Sequence, residues 1–538
     1  MSQEVGKVLG TIDAEPLGYW VAVPPEILLQ LDDVVLVRRR LSHDRSICSY
    51  GIVDSLIARH EGARLESDVF LSEQGILPLN HALKAHVSVT RIEPEIYVPP
   101  LPGEPVYHAE GTDRDRALFF DSMRKRFALG ISRNGEPVYG NFEFIDGTRG
   151  AHLNISGISG VAAKTTYATF LLKGIFNSGL LGSEQANTQA VIFNVKGEDL
   201  LFLDKPNNAL SAEAAAIYGR MEMPATPFES VSFFAPVRRG EEVLIPDTGM
   251  RSEGVNAYCW SIEEFCRQRY LRFLFADADA EASQLSAIVD RIEAQLLGVD
   301  VRSLETFSDV VDLIASNIDV WAASAAPGTR GAFLRRLEAA AYRVGHLIRG
   351  NVEESARVNW RRSQVTVIDI HNLHDRAKRF VIGVVLKRMF EEKENTGSAR
   401  PLVFIVLDEL NKYAPREGHS PIKDVILDIS ERGRSLGVIL IGAEQTASQV
   451  ENRVVANSAF RVVGRLDLAE AQHAEYAFLP VMSRARAGIL KPGSVIVSQP
   501  EIPIPLLVQF PFPAWATRPS EVAVPVGANP FASFPRSR

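Results

Sequence analysis

The stretch HLNISGISGVAAKTTYATFLL, from His152 to Leu172, joins a strand-like LNIS to a helix-like run through a turn containing Gly157, Ser159 and Gly160. A strand that ends in a glycine-rich turn and opens a helix aims backbone N–H groups at one point, where a phosphate can sit. Lys164 then stands where a lysine reaches terminal phosphates, and Thr165 where a hydroxyl ligates Mg2+. Two departures separate the stretch from the usual phosphate loop. Ala163 replaces the glycine before the lysine, and Gly157 lies one residue further from that lysine than the pattern asks. A Cβ on a left-handed residue costs about 1–2 kcal/mol, and alanine is the smallest such departure. Taken alone, the stretch also reads as a strand–turn–helix with an incidental Lys-Thr.

Its surroundings extend the pattern. The strand-like AVIFNVKGEDL follows the helix, a β-loop-α-β alternation that predicts a parallel sheet covered by helices. Residues 252–362 turn helical, with Leu285, Ile288, Val289, Ile292 and Leu296 near helical spacing. The apolar runs VTVIDI, LVFIVLDE, VILIGAE and FRVVGRL then resume the sheet. Upstream, KVLGTI, WVAVP, DVVLVRRR, SYGIVDS and AHVSVTRI are short strands broken by turn residues, which predicts a small barrel. The proline-rich YVPPLPGEPV marks a boundary after it. The expected organisation is a β-barrel over 1–97, an α/β core over 98–251 and 363–538, and a helical insertion over 252–362. The proline-rich IPIPLLVQFPFPAWATRP reads as an extended arm.

Two further elements carry chemistry. In PLVFIVLDELNKY, five apolar residues run into Asp408-Glu409, and adjacent carboxylates at the tip of a buried strand call for water or a cation beside them. In a nucleotide-hydrolysing site the aspartate holds Mg2+ and the glutamate orients and activates water. The same residues also describe a strand ending in a solvated acidic turn. In ISERGRSLGVILIGAEQ, Arg432 and Arg434 fall at a helix end, and Gln445 follows the next strand. Such arginines ordinarily complement helix carbonyls; one projecting into a neighbouring subunit would neutralise charge during phosphoryl transfer. All three elements are expected at strand ends lining one crevice.

The chain's 538 residues exceed one ordinary core, and 46% hydrophobic with 23% charged residues is a globular balance. No apolar run is long enough to span a bilayer, and the polar start is not a signal peptide. Three cysteines without metal-ligand spacing point to a reducing, cytoplasmic setting. A net charge of −8 argues against coating nucleic acid with the whole surface but leaves room for a local basic channel. Between Arg330 and Arg362, eight arginines face three glutamates. A solvated helix face accounts for them as readily as a phosphate-binding one.

Together these stretches resemble the HerA family of P-loop ATPases, hexameric DNA translocases of the FtsK–HerA division. The resemblance covers most of the chain, including the N-terminal strands, AHLNISGISGVAAKT, VIFNVKGEDL, LVFIVLDELNKYAP and ERGRSLGVILIGAEQTAS. KPGSVIVSQPEIPIPLLVQF resembles the family's closing segment, which packs towards a neighbour. Asn194 stands where the family has an aspartate. The resemblance implies a RecA-like P-loop core, ATP and Mg2+ as cofactors, a homo-hexamer around duplex DNA, no membrane, and a partner nuclease or other effector in end processing or antiphage defence. It implies nucleotide binding by Gly157, Ser159, Gly160, Ala163, Lys164, Thr165 and Thr166, metal ligation by Thr165 and Asp408, and catalysis by Glu409, Arg434 and Gln445. An alternative is a nucleotide-binding scaffold in which Ala163, the longer loop and Asn194 slow or abolish hydrolysis.

Overall fold

The computed structural model describes residues 3–42, 45–61, 63, 65–77, 80–158, 164–241, 243–251, 253–275 and 282–522. Six strands form a closed barrel: β1 (Glu4–Val8), β2 (Gly18–Val23), β3 (Val34–Ser42), β4 (Arg45–Glu61), β5 (Asn80–Glu93) and β6 (Pro105–His108). Residues alternate between its interior and solvent, and Val21, Val35, Val37, Val87 and Val106 fill the interior. The expected boundary at residue 97 falls short. β6 lies beyond the proline-rich stretch and closes the barrel between β1 and β3. That stretch is a connection bracing the barrel: Gly103 donates to the Val8 carbonyl, 2.8 Å, and Val8 to that of Glu104, 2.9 Å.

The remaining strands are β7 (Arg126–Ile131), β8 (Pro137–Asn141), β9 (Leu153–Ser156), β10 (Gln189–Asn194), β11 (Val231–Pro236), β12 (Val255–Tyr258), β13 (Trp260–Ser261), β14 (Ile348–Arg349), β15 (Val365–Asp369), β16 (Val403–Asp408), β17 (Val438–Glu444), β18 (Phe460–Val463), β19 (Ser494–Gln499) and β20 (Ile502–Gln509). All but the β13–β14 pair belong to one sheet, in the order β12-β11-β15-β10-β16-β17-β9-β18-β19-β20-β7-β8. From β12 to β18 the strands run parallel, and from β19 to β8 they pair antiparallel. The loop strand β9 and the acidic strand β16 are therefore separated by β17. This is the α/β class anticipated from the sequence, a parallel sheet covered by helices beside a small barrel.

Near-continuous apolar strands indicate a sheet buried on both faces, and alternate residues do divide between two cores. Val191, Phe193, Ile405, Leu407 and Leu440 enter one. Ala190, Ile192, Phe404, Val406 and Ile441 enter the other, beneath the helix Lys164–Asn177. The first core also holds the helices Asp375–Thr396 and Pro421–Leu436 and the insertion. The insertion packs the helices Ala282–Leu296, Phe307–Trp321 and Pro327–Val344 together; Thr306 and Asp309 form a capping box on the second. Leu285, Ile288, Val289, Ile292 and Leu296 are all buried there. The segment 252–362 is not wholly helical, because β12 pairs with β11 and extends the main sheet. No helix among the described residues is long and apolar enough to cross a membrane.

One glycine fixes the entry to β17. Gly437 ends the helix Pro421–Leu436 with φ +69°, and a Cβ there would lie 1.9 Å from the Ala399 carbonyl oxygen. The left-handed turn and this close approach together require a residue without a side chain.

Candidate nucleotide site

β9 is buried throughout and delivers the loop at the C-terminal edge of the sheet. Gly157 donates its N–H to the Glu444 carbonyl, 3.1 Å, and Ile158 to that of Arg465, 2.7 Å, so both flanking segments hold the loop's entry. Ser159, Gly160 and Ala163 lie outside the described residues. Lys164 opens the next helix and is only 6% exposed, with Nζ donating to the Gly157 carbonyl at 2.7 Å. Burial lowers its pKa, against the pull of Asp408. Thr165 donates its hydroxyl to Asp408 Oδ2 at 3.3 Å. Thr166 lines the same cavity.

β16 brings Asp408 and Glu409 to that edge. Asp408 accepts the Glu409 N–H at 2.8 Å, and Glu409 is left-handed, φ +57° and ψ +41°, which turns the chain sharply out of the sheet. Lys196, just after β10, bridges the pair at 3.3 Å from Asp408 and 3.1 Å from Glu409. Lys412 holds the other Glu409 oxygen at 2.5 Å. Burial alone would raise the Glu409 pKa, but these lysines outweigh it and the carboxyl sits below its ordinary value. In the sequence Lys196 lies within VIFNVKGEDL with no role attached to it. A lysine two residues past a buried strand gives no sign of which neighbouring strand tip it will meet.

The substitution at Asn194 is answered locally. Asn194 Nδ2 donates to Asp369 Oδ1 at 2.8 Å and to the Gly197 carbonyl at 2.7 Å. Asp369 in turn holds His371 Nδ1 at 2.9 Å, and this partner raises the His371 pKa. An aspartate at 194 would set two carboxylates against each other where an amide now donates. Glu198 accepts the backbone N–H groups of Gly249, Met250 and Arg251, anchoring that turn.

Glu444 ends β17 fully buried. Gln445 follows it, exposed, at the same edge. Arg434 departs from the expected common crevice. It precedes β17, whereas Asp408 pairs with Ala443 near that strand's far end. Seven strand residues separate the two edges by roughly 20 Å. Arg434 is exposed at the N-terminal edge and donates to the carbonyls of Gly147 at 3.1 Å and Thr148 at 3.0 Å. Arg432 pairs instead with Glu394.

Lys164, Thr165, Thr166, Lys196 and Asp408 line a cavity of about 500 Å³. Its other wall holds Trp515, Thr517 and Arg518. The C-terminal arm thus folds back on its own chain: Ala516 donates to the Lys205 carbonyl at 2.8 Å, Asn207 to that of Ala514 at 3.1 Å, and Asn208 to that of Glu521 at 2.8 Å. A buried amide at Asn207 and an aromatic pocket for Trp515, 5.0 Å from Phe228, keep the arm at home. The hard oxygens of Thr165 and Asp408 beside a cavity of this size suit Mg2+ and an anionic ligand. Among the described residues no group of three His, Cys, Asp or Glu side chains is placed to hold a metal ion.

No family model matches the chain, and no curated protein does. Among solved structures it is similar to VirB4 of Thermoanaerobacter pseudethanolicus, with 15% identity, a TM-score of 0.47, and coverage of 74% of this chain and 98% of that one. It is also similar to the bacterial conjugative coupling protein TrwB in complex with sulphate, at 13% identity, a TM-score of 0.47, and 75% and 94% coverage. The genome packaging NTPase B204 of Sulfolobus turreted icosahedral virus 2, in complex with AMPPCP, matches 28% of this chain and 70% of its own at 11% identity and a TM-score of 0.22. The fold and the site described above stand on this chain's own topology and contacts.

Proposed function

We propose that this chain is an ATP-driven, ring-forming DNA translocase or helicase of the HerA type. It assembles as a cytoplasmic homo-hexamer around duplex DNA and powers a separately encoded nuclease or other effector in DNA end processing or antiphage defence. The observation that carries the proposal is the convergence of Lys164, Thr165, Asp408, Glu409 and Lys196 at one edge of the parallel sheet, beside a single cavity.

In this reading Lys164 leaves the Gly157 carbonyl for the terminal phosphates, and Thr165 with Asp408 holds Mg2+. The metal would supply charge neutralisation at the phosphates. Glu409 is the base that orients water, and it is available once Lys196 and Lys412 release its oxygens. Gln445 meets the water or the terminal phosphate. Arg434 reaches a neighbouring subunit's nucleotide, the use its position on the opposite edge leaves open. The lysines engaged on Glu409 favour a second reading, a hexameric scaffold that binds nucleotide and turns it over slowly or not at all.

ATP hydrolysis with and without duplex DNA separates the readings, using the wild type, Lys164→Ala, Glu409→Gln and Ala163→Gly, with the mass of each particle. A motor gives DNA-stimulated turnover that falls at least about 100-fold in the first two variants. A wild type as silent as Glu409→Gln, active only after Ala163→Gly, would leave the scaffold.

A further inference from the structure

The cavity beside Lys164 has a wall that the phosphate loop and the acidic strand do not supply. Trp515, Thr517 and Arg518 form it, and their segment, residues 513–522, is fixed by more than passing contact. Asn207 Nδ2 donates to the carbonyls of Pro513, 3.1 Å, and Trp515, 3.3 Å. Buried Glu521 accepts from the Thr517 backbone at 2.8 Å and its hydroxyl at 3.0 Å, and pairs with Arg518 Nε at 3.0 Å. The backbone under Arg518 is therefore set, while its side chain remains 64% exposed on the cavity rim. Around that cavity three cations, Lys164, Lys196 and Arg518, face two carboxylates, Asp199 and Asp408. The wall opposite the loop contributes an anion-seeking guanidinium, with a carboxylate behind it to orient the fork.

We infer that Arg518 binds the phosphates of the nucleotide held by Lys164 of the same chain, making the C-terminal arm a wall of the binding site. The inference rests on the nucleotide-site reading and adds to it a residue that acts in cis. The Arg518–Glu521 pair is one anchor of the arm, but the Asn207 and Thr517 bonds form without it, so Arg518→Ala removes a ligand contact and leaves the rest of the wall held.

The test is equilibrium binding by the full chain with Mg2+, using a fluorescent ATP analogue displaced by ATP or by adenosine. Arg518→Ala raises the Kd for ATP about tenfold, the effect of one charge-assisted contact, and leaves adenosine unchanged. Arg518→Lys, which keeps the charge, recovers most of the loss. In the wild type, ATP slows amide exchange over residues 515–518, a readout that needs no variant. Unchanged ATP affinity in Arg518→Ala, while Lys164→Ala loses binding, overturns the inference and spares the nucleotide site. Equal weakening for ATP and adenosine also overturns it, since a structural defect acts on both. A wild type that binds neither ligand sinks the nucleotide site and the inference together.

Discussion

Glu444 has no exposed surface, and burial drives its pKa well above the ordinary carboxylate value against the opposing pull of the Asn154 amide and Lys164. Between the ordinary value of 4.5 and the raised one, the folded chain keeps a proton that the unfolded chain has lost. Stability from this group is therefore full below about pH 4.5 and falls as pH rises through the folded pKa. Glu444→Gln has no proton to lose. Urea denaturation should show no gain for the variant near pH 4.5 and a gain of about 1–3 kcal/mol near pH 8. A gain that shrinks with rising pH would mean that Glu444 is ionised and partnered. Asn194 illustrates the same care with charge: in the sequence it looked like a lost aspartate, and in the fold it is the donor that Asp369 requires. No reading of a single position could have found that, since the two residues meet only when β10 and β15 pair.

At the scale of elements, the apolar strands were legible because a sheet buried on both faces needs runs such as VFIVL, and the tips of those runs announced Asp408-Glu409. The order of the strands was not. The sixth barrel strand hides behind prolines, and β12 continues the main sheet inside a segment that is otherwise helical. The edge on which Arg434 falls follows from the direction of the helix Pro421–Leu436 and its return at Gly437. Gly437→Ala should therefore cost about 2–4 kcal/mol, from the left-handed backbone and the clash with Ala399. It should also lower ATP turnover, because β17 carries Glu444 and positions Gln445. Denaturation and turnover of the same preparation check both, and an unchanged midpoint would show that the Ala399 segment yields.

For the whole molecule, the proposed function divides one reaction between the two edges of one sheet. Lys164 and Asp408 stand at the C-terminal edge and Arg434 at the other, so a subunit holds a site and an arginine that cannot serve each other. In the proposed ring, heterologous contacts would resolve this, each subunit serving the next. Lys164→Ala and Arg434→Ala chains, each inactive alone, should recover roughly a quarter of wild-type turnover when assembled in equal amounts, the chance that an intact site meets an intact arginine. A chain carrying both substitutions, mixed with wild type, gives the contrasting case, with no new functional pairing. No recovery on mixing would remove Arg434 from catalysis.

The arm that walls the cavity also sets an order in time. Translation produces Lys164 early, Asp408 later and residues 513–522 after both, while β20 must still reach back to pair Gln509 with Ile131. A ribosome-bound chain can fold its barrel and begin its parallel strands, yet it cannot enclose the cavity until the arm has emerged from the exit tunnel. The cavity's last wall is thus made by residues synthesised after Lys164 and Asp408, and the pocket is complete only once they have emerged.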